Sequence, residues 1–273
     1  MCRIISLGSI SNMDRVGRTR AGDYAPHLVS FDSVVGLFTD SAGDVNSRPR
    51  TTRVDPSSLS EEGMQKVASA HDPVGGVEYY LYPDKDGLIF GSGSRKSAMP
   101  FDPDDKDTLI RPGFPFSLFQ SPRKDLERER AHNESTIAIA KRIIEAPWFA
   151  HWHPKGSESE AEGDVISIGD LLFALAHKKF NFMFNARGVS MYTSVGNTKQ
   201  DVAIIATALL AFEKGCVSDR GKDFLKTEEY LGARNNFLKG KIREQGFIYK
   251  EFSWGSPTAN RVVKMMRGES SGL

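Results

Sequence analysis

Two histidines separated by a single residue are the pair in this sequence best suited to hold a metal ion. His151 and His153 flank Trp152, and Glu158 follows five residues after the second histidine. Alternate residues of an extended chain point the same way, so both imidazoles can face one ion. Imidazole and carboxylate groups are ligands of divalent metals. The spacing predicts a metal site at His151, His153 and Glu158, and a metal-dependent enzyme as one interpretation of the chain.

The same pattern resembles the first metal motif of the cupins, in which two imidazoles and a carboxylate on neighbouring strands hold a divalent metal. The resemblance implies that His151, His153 and Glu158 are ligands within a barrel of strands. The residues before His151 have helical character up to Pro147, which ends a helix. That pattern predicts instead that the two histidines lie in a loop at the end of a helix.

The chain begins with a residue that can act as a nucleophile. The first four residues, MCRI, resemble the start of the class II glutamine amidotransferases. The resemblance implies that Cys2 is a nucleophile whose own α-amino group serves as the base. No dinucleotide fingerprint, Cys-x-x-Cys pair or serine-triad signature is evident in the sequence, so no cofactor is expected.

Alternating aromatic residues between cations indicate a different chemistry. Phe180 and Phe182 share one face of an extended chain, and Lys178, Lys179 and Arg187 bracket them. Aromatic rings that stack on bases, beside cations that contact phosphates, are typical of proteins that bind single-stranded nucleic acid. The segment also resembles the aromatic strand of an RNA-recognition motif. Burial of the phenylalanines in a core is the alternative.

The charge distribution extends this nucleic-acid hypothesis. The chain has a net charge of +1, from 36 basic and 35 acidic residues, which by itself indicates no polyanionic partner. Residues 216–268, however, hold 11 Lys/Arg and 6 Asp/Glu, a local charge of +5 that could attract nucleic acid. The further basic candidates there are Arg234, Lys239, Lys241 and Arg243.

These features lead to one functional prediction and two alternatives. The leading prediction is a non-enzymatic structural protein of the nucleocapsid or coat type, which binds single-stranded nucleic acid without strong sequence preference. Such proteins self-associate through terminal arms, and both ends of this chain are candidates for that role. The alternatives are the metal-dependent enzyme at His151 and His153 and a regulatory or effector-type interaction protein.

The chain divides by composition into four regions. Residues 1–60 read as an arm rich in loops, with one strand at residues 27–38 and a loop at residues 41–60. Residues 61–120 hold a β-hairpin at residues 77–91 and then a proline-rich stretch. Residues 121–252 form a helical core, and residues 253–273 form a tail. The predicted fold class is α+β, with a strand-containing N-terminal part packed on, or followed by, a predominantly helical C-terminal core.

Capping patterns locate the helices of the C-terminal region. Ser167 and Asp170 form one capping box, and Thr198 and Asp201 form a second. The second helix is expected to end at Gly215 and, being apolar nearly all round, to be the most buried element. Further helical pieces are expected at residues 219–231 and 233–245, interrupted near Gly232 and ending at Gly246.

The two cysteines, Cys2 and Cys216, fit a reducing compartment such as the cytoplasm better than a disulfide framework. The N-terminal apolar run is too short for a signal peptide, and no stretch of the sequence is apolar for long enough to predict a membrane span.

Overall fold

The computed structural model describes residues 28–40, 51–69, 79–92, 141–153 and 165–269. Its strands are β1 (Thr51–Val54), β2 (Tyr79–Asp84), β3 (Gly87–Ser92), β4 (Trp148–Trp152), β5 (Phe180–Asn185), β6 (Gly188–Thr193) and β7 (Ile248–Ser253). They form one sheet in the order β1-β3-β2-β4-β5-β6-β7. Neighbouring strands are antiparallel except β4 and β5, which run parallel.

Helices cover both faces of this sheet. They are α1 (Phe31–Asp40), α2 (Glu61–Ser69), α3 (Ile168–His177), α4 (Lys199–Arg220), α5 (Glu228–Glu244) and α6 (Pro257–Met266), with 3-10 helices at Pro56–Ser58 and Lys222–Lys226. Residues 141–145 are also helical. On one face, α1, α2 and α6 pack against Trp152 and Phe184. On the other face, α3, α4 and α5 pack against Met183, Tyr192 and Tyr249. The fold is therefore α+β, as the sequence predicts.

The predicted hairpin is confirmed as β2 and β3, with Tyr82 opposite Ile89. The turn between the two strands consists of Lys85 and Asp86. Gly87 follows with a φ of 141°, a conformation that side chains disfavour, which explains why the turn ends on a glycine.

Two predictions in the N-terminal region were wrong. The strand predicted at residues 27–38 is largely helix α1. Phe31, Val34 and Val35 are buried at a spacing of three and four residues, so packing of one helical face outweighed the β propensity of the valines. The loop predicted at residues 41–60 contains β1, which pairs with β3.

The C-terminal region is not a separate helical core. Residues 121–252 supply β4, β5, β6 and β7, so the N-terminal and C-terminal regions share one sheet. The segment predicted as a tail, residues 253–273, contains helix α6. Its Ala259, Val262 and Met266 are buried against the sheet, because the helix is apolar on one face.

Two glycines at which the sequence predicts a helix end or interruption lie inside helices. Helix α4 follows the N-cap Thr198 as predicted, but it continues through Gly215, where an added Cβ would meet open space. Helix α5 likewise continues through Gly232. Helix α4 is also not the most buried element, since Ile204 and Leu210 are exposed on its outer side.

Among the helices within the described ranges, none combines the length and apolar character that crossing a membrane requires. Cys216 has a free thiol in α4, and Cys2 lies outside the described residues. The compartment inferred from the cysteines stays a prediction.

Candidate metal centre

Strand β4 contains His151 and ends one residue before His153. All of its residues are buried, and it pairs with β2 on one side and with β5 on the other. The aromatic side chains of Trp148, Phe149 and Trp152 suit a strand that is covered on both faces, which explains why a strand forms where a loop was predicted. The N–H of His153 donates to the Phe184 carbonyl at 3.0 Å, so pairing with β5 continues one residue beyond β4.

Helix α3 brings a carboxylate to the same end of β4. Ser167 is its N-cap, and the Ser167 hydroxyl accepts a hydrogen bond from the Asp170 N–H at 3.1 Å. Asp170 Oδ2 in turn accepts from the Ser167 N–H at 2.6 Å and from the Ser167 hydroxyl at 2.8 Å. The predicted capping box is thus confirmed, and it fixes Asp170 in the first turn of the helix.

The three side chains converge on one point. The Nε2 atoms of His151 and His153 lie 3.0 Å apart. His151 Nε2 lies 3.2 Å from Asp170 Oδ1, and His153 Nε2 lies 3.7 Å from Asp170 Oδ2. One ligand atom from each residue lies within 4.8 Å of the other two, which is close enough for a single metal ion to bind all three.

The electrostatics of the cluster keep its carboxylate ionised. Burial by itself would raise the pKa of Asp170, but the charges of His151 and His153 and the hydrogen bonds from His151 and Ser167 oppose it. The net effect holds the pKa of Asp170 below its usual value. Asp170 therefore carries a negative charge at neutral pH and can serve as a metal ligand.

Aromatic packing orients the inner histidine. The His151 ring stacks on Phe149 at a centroid distance of 5.8 Å and meets the Tyr192 ring edge-on at 6.3 Å. Phe149 in turn packs on Phe173 of α3 at 4.8 Å. These contacts hold the imidazole in one orientation, so its Nε2 is directed at Asp170 before any ion binds.

The structure brings together two of the three metal ligands predicted from the sequence. His151 and His153 form the cluster, whereas Glu158 lies outside the described residues. The carboxylate found here, Asp170, was predicted only as a helix cap. The barrel implied by the cupin resemblance is not formed by the described residues, whose sheet has two different edge strands, β1 and β7.

The residues predicted to bind nucleic acid on β5 do not form one surface. Phe182 is fully buried, with 0% of its surface exposed, whereas Phe180 is 41% exposed. Lys179 Nζ donates to the carbonyls of Glu145 and Ala146 at 2.9 and 3.0 Å. Phe182 therefore has a core role, as the alternative interpretation held.

The remaining basic candidates differ in position and partners. Lys178 ends α3 in a left-handed conformation, and Arg187 lies in the β5–β6 turn at the opposite end of β5. Three of the basic candidates in α5 form ion pairs: Arg234 with Glu213 at 3.3 Å, Lys239 with Glu251 at 2.7 Å and Lys241 with Glu244 at 2.6 Å. Arg243 lies over the Tyr249 ring at 5.9 Å. These partners offset the local positive charge, and nucleic-acid binding stays an untested prediction.

Comparison of the chain with models of known protein families, with curated protein sequences and with solved structures gives no match.

Proposed function

We propose that the chain is a metal-dependent hydrolase that binds one zinc ion through His151, His153 and Asp170. The observation that carries the proposal is the convergence of two imidazole nitrogens and one carboxylate oxygen. Three protein ligands with a fourth position left to water are the usual arrangement of a catalytic zinc site.

The spacing of the ligand atoms supports zinc. Two donors bound to a tetrahedral zinc ion, each at about 2.0–2.1 Å, lie about 3.3–3.4 Å apart. The distances of 3.0 Å between the histidine nitrogens and 3.2 Å between His151 and Asp170 are close to this value. Small side-chain movements would therefore suffice to admit the ion.

The chemistry would follow from the ligand set. A zinc ion held by His151, His153 and Asp170 would lower the pKa of a bound water to about 7. Such a water could serve as the nucleophile in the hydrolysis of an ester or amide, which yields a carboxylic acid and an alcohol or amine.

Metal analysis of the purified protein tests the binding step. We expect about one zinc per chain, and we expect His151→Ala, His153→Ala and Asp170→Asn each to remove it, because loss of one of three protein ligands leaves a weak site. His177→Gln is the matched control, since His177 is a buried histidine outside the cluster. Bound iron instead of zinc would point to an oxygenase, which uses the same ligand set, and a metal-free wild type would refute the proposal.

Hydrolysis of 4-nitrophenyl acetate by the zinc-loaded protein tests the reaction. The rate should rise with pH to a plateau above about 7, as the bound water ionises. Chelation of the metal and the Asp170→Asn substitution should both abolish it, whereas His177→Gln should not. A rate that is unaffected by chelation would show that the metal is not catalytic.

A further inference from the structure

Two capping boxes of nearly identical geometry lie within the described residues. At α3, Asp170 Oδ2 accepts from the Ser167 N–H at 2.6 Å and from the Ser167 hydroxyl at 2.8 Å. At α4, Asp201 Oδ2 accepts from the Thr198 N–H at 2.7 Å and from the Thr198 hydroxyl at 2.9 Å. Both boxes satisfy N–H groups that have no partner within the helix.

The two boxes differ in what the other carboxylate oxygen faces. Asp170 Oδ1 lies 3.2 Å from His151 Nε2, within the candidate metal centre. Within the described residues, Asp201 belongs to no group of potential metal ligands and forms no ion pair with a histidine. Only the box at α3 therefore has a consequence beyond the helix it begins.

We infer that Ser167 is a positioning residue for the metal, an inference that rests on the proposed zinc site. The N–H and the hydroxyl of Ser167 both donate to Asp170 Oδ2, which also lies 3.7 Å from His153 Nε2. Asp170 Oδ1 accepts no bond from Ser167 and lies 3.2 Å from His151 Nε2, so we expect Asp170 to bind the ion through Oδ1 alone. A bidentate carboxylate would fill the fourth position of a tetrahedral ion, so Ser167 keeps that position open for water.

Ser167 also resists rotation of the Asp170 side chain. A partial rotation about the last side-chain bond would move Oδ1 away from His151, and the two hydrogen bonds to Oδ2 oppose that rotation. Hydrogen-bond partners that orient a metal ligand are typically worth a 10–100-fold change in metal affinity. Ser167 thus both caps α3 and orients Asp170 toward the candidate metal centre.

The capping box at α4 provides the matched control. We expect Ser167→Ala to weaken zinc binding by about 10–100-fold, measured by competition with a chromophoric chelator. Thr198→Ala should leave the zinc affinity unchanged while it lowers the thermal stability of the metal-free protein to a similar extent. Equal effects of the two substitutions on zinc affinity would show that Ser167 acts only as a helix cap.

Two further variants keep the test decisive if Ser167→Ala folds poorly. Glycine is nearly as good an N-cap as serine, so Ser167→Gly should retain the helix. It keeps the N–H bond to Asp170 Oδ2 and loses only the hydroxyl bond, so the lower zinc affinity that we expect would report the hydroxyl. Ser167→Thr keeps the hydroxyl and should bind zinc like the wild type. Full affinity in Ser167→Gly would overturn the inference.

The visible absorption of the Co²⁺-loaded protein reports the coordination mode. The wild type and Ser167→Thr should show the intense bands of a four-coordinate ion. Ser167→Gly keeps the N–H bond to Oδ2 and loses only the hydroxyl bond, so its bands should weaken to the extent that Oδ2 approaches the ion. The same weak spectrum in the wild type would exclude monodentate binding. A wild type that binds neither zinc nor cobalt would instead refute the proposed function. Failure of the Ser167 inference can therefore be distinguished from failure of the proposed metal site.

Discussion

His177 is a buried histidine at the end of α3 with a structural role. Its Nε2 donates to the Ala146 carbonyl at 3.0 Å, and its ring stacks on Phe173 at 5.5 Å. Burial lowers the pKa of His177, the Lys179 charge lowers it further, and the hydrogen bonds to Ala146, Asn181 and Ile143 only partly oppose this. The neutral imidazole is therefore the form that the folded protein prefers.

The pKa of His177 predicts how stability depends on pH. In the unfolded chain a histidine has a pKa of about 6.5, so at lower pH the unfolded state binds a proton that the folded state does not. The contribution of the neutral, buried His177 to the free energy of unfolding is fully present above about pH 6.5. It is lost as the pH falls toward the lower pKa of His177 in the folded state. Each pH unit between the two pKa values is worth about 1.4 kcal/mol.

Urea unfolding of the metal-free protein between pH 7.5 and pH 5.5 measures this effect. The wild type should lose more stability over this interval than His177→Gln, which cannot titrate. The histidines of the metal centre are common to both proteins, so they cancel in the comparison. Identical pH slopes would mean that His177 is protonated in the folded protein without cost.

At the scale of elements, α4 lies over the sheet with one face buried and the other exposed. Leu209 is 7% exposed and belongs to the core on the α3–α5 face, whereas its neighbour Leu210 is 50% exposed. The sequence cannot distinguish these two leucines, because both lie in a helix that is apolar nearly all round.

Alanine substitutions at the two leucines should separate the faces of α4. Leu209→Ala should lower the free energy of unfolding by about 2–5 kcal/mol, since it leaves a cavity in the core. Leu210→Ala should change it by less than about 0.5 kcal/mol, as is usual for exposed positions. Urea unfolding of the two variants and the wild type would measure both changes in the free energy of unfolding. A large loss at Leu210 would indicate that a partner or another segment covers the outer face.

Helix α6 covers part of one face of the sheet that both halves of the chain form. Val262 and Met266 of α6 are buried, and Arg267 Nε donates to the Leu59 carbonyl at 2.6 Å. Gly255, just before α6, donates its N–H to the Glu61 carboxylate. The C-terminal segment is thus part of the fold of its own chain, and self-association through terminal arms stays an untested prediction.

Removal of α6 should unfold the protein. Burial of a valine or methionine side chain contributes about 1.5–3 kcal/mol, and the whole stability of a typical domain is about 5–15 kcal/mol. A chain that ends at residue 256 should therefore show no cooperative thermal transition. A chain that ends at Glu269 retains α6 and should melt like the full protein. A stable, cooperative protein ending at residue 256 would contradict a structural role for the buried face of α6.

Local features of the fold were predictable because short-range chemistry decides them. The capping boxes at Ser167 and Thr198 and the hairpin of β2 and β3 each depend on residues within a few positions of one another. Interpretation failed where tertiary packing selects between local alternatives. The valines of α1 favoured a strand until burial of one helical face decided the conformation. Gly215 favoured a helix end, yet α4 continues to Arg220.

For the candidate site, the residue types and their local spacing predicted the His-x-His pair and the cap at Asp170 as two separate patterns. The path of the folded backbone brings the two together. The chain leaves β4, returns through α3 and pairs β5 parallel to β4, which puts the first turn of α3 beside the end of β4. Asp170 is 17 residues after His153 in the sequence and meets His151 only because this crossover folds them together. The distance in space between His151 and Asp170 depends on the path of the backbone between them. The residue types near each of the two positions do not specify that path.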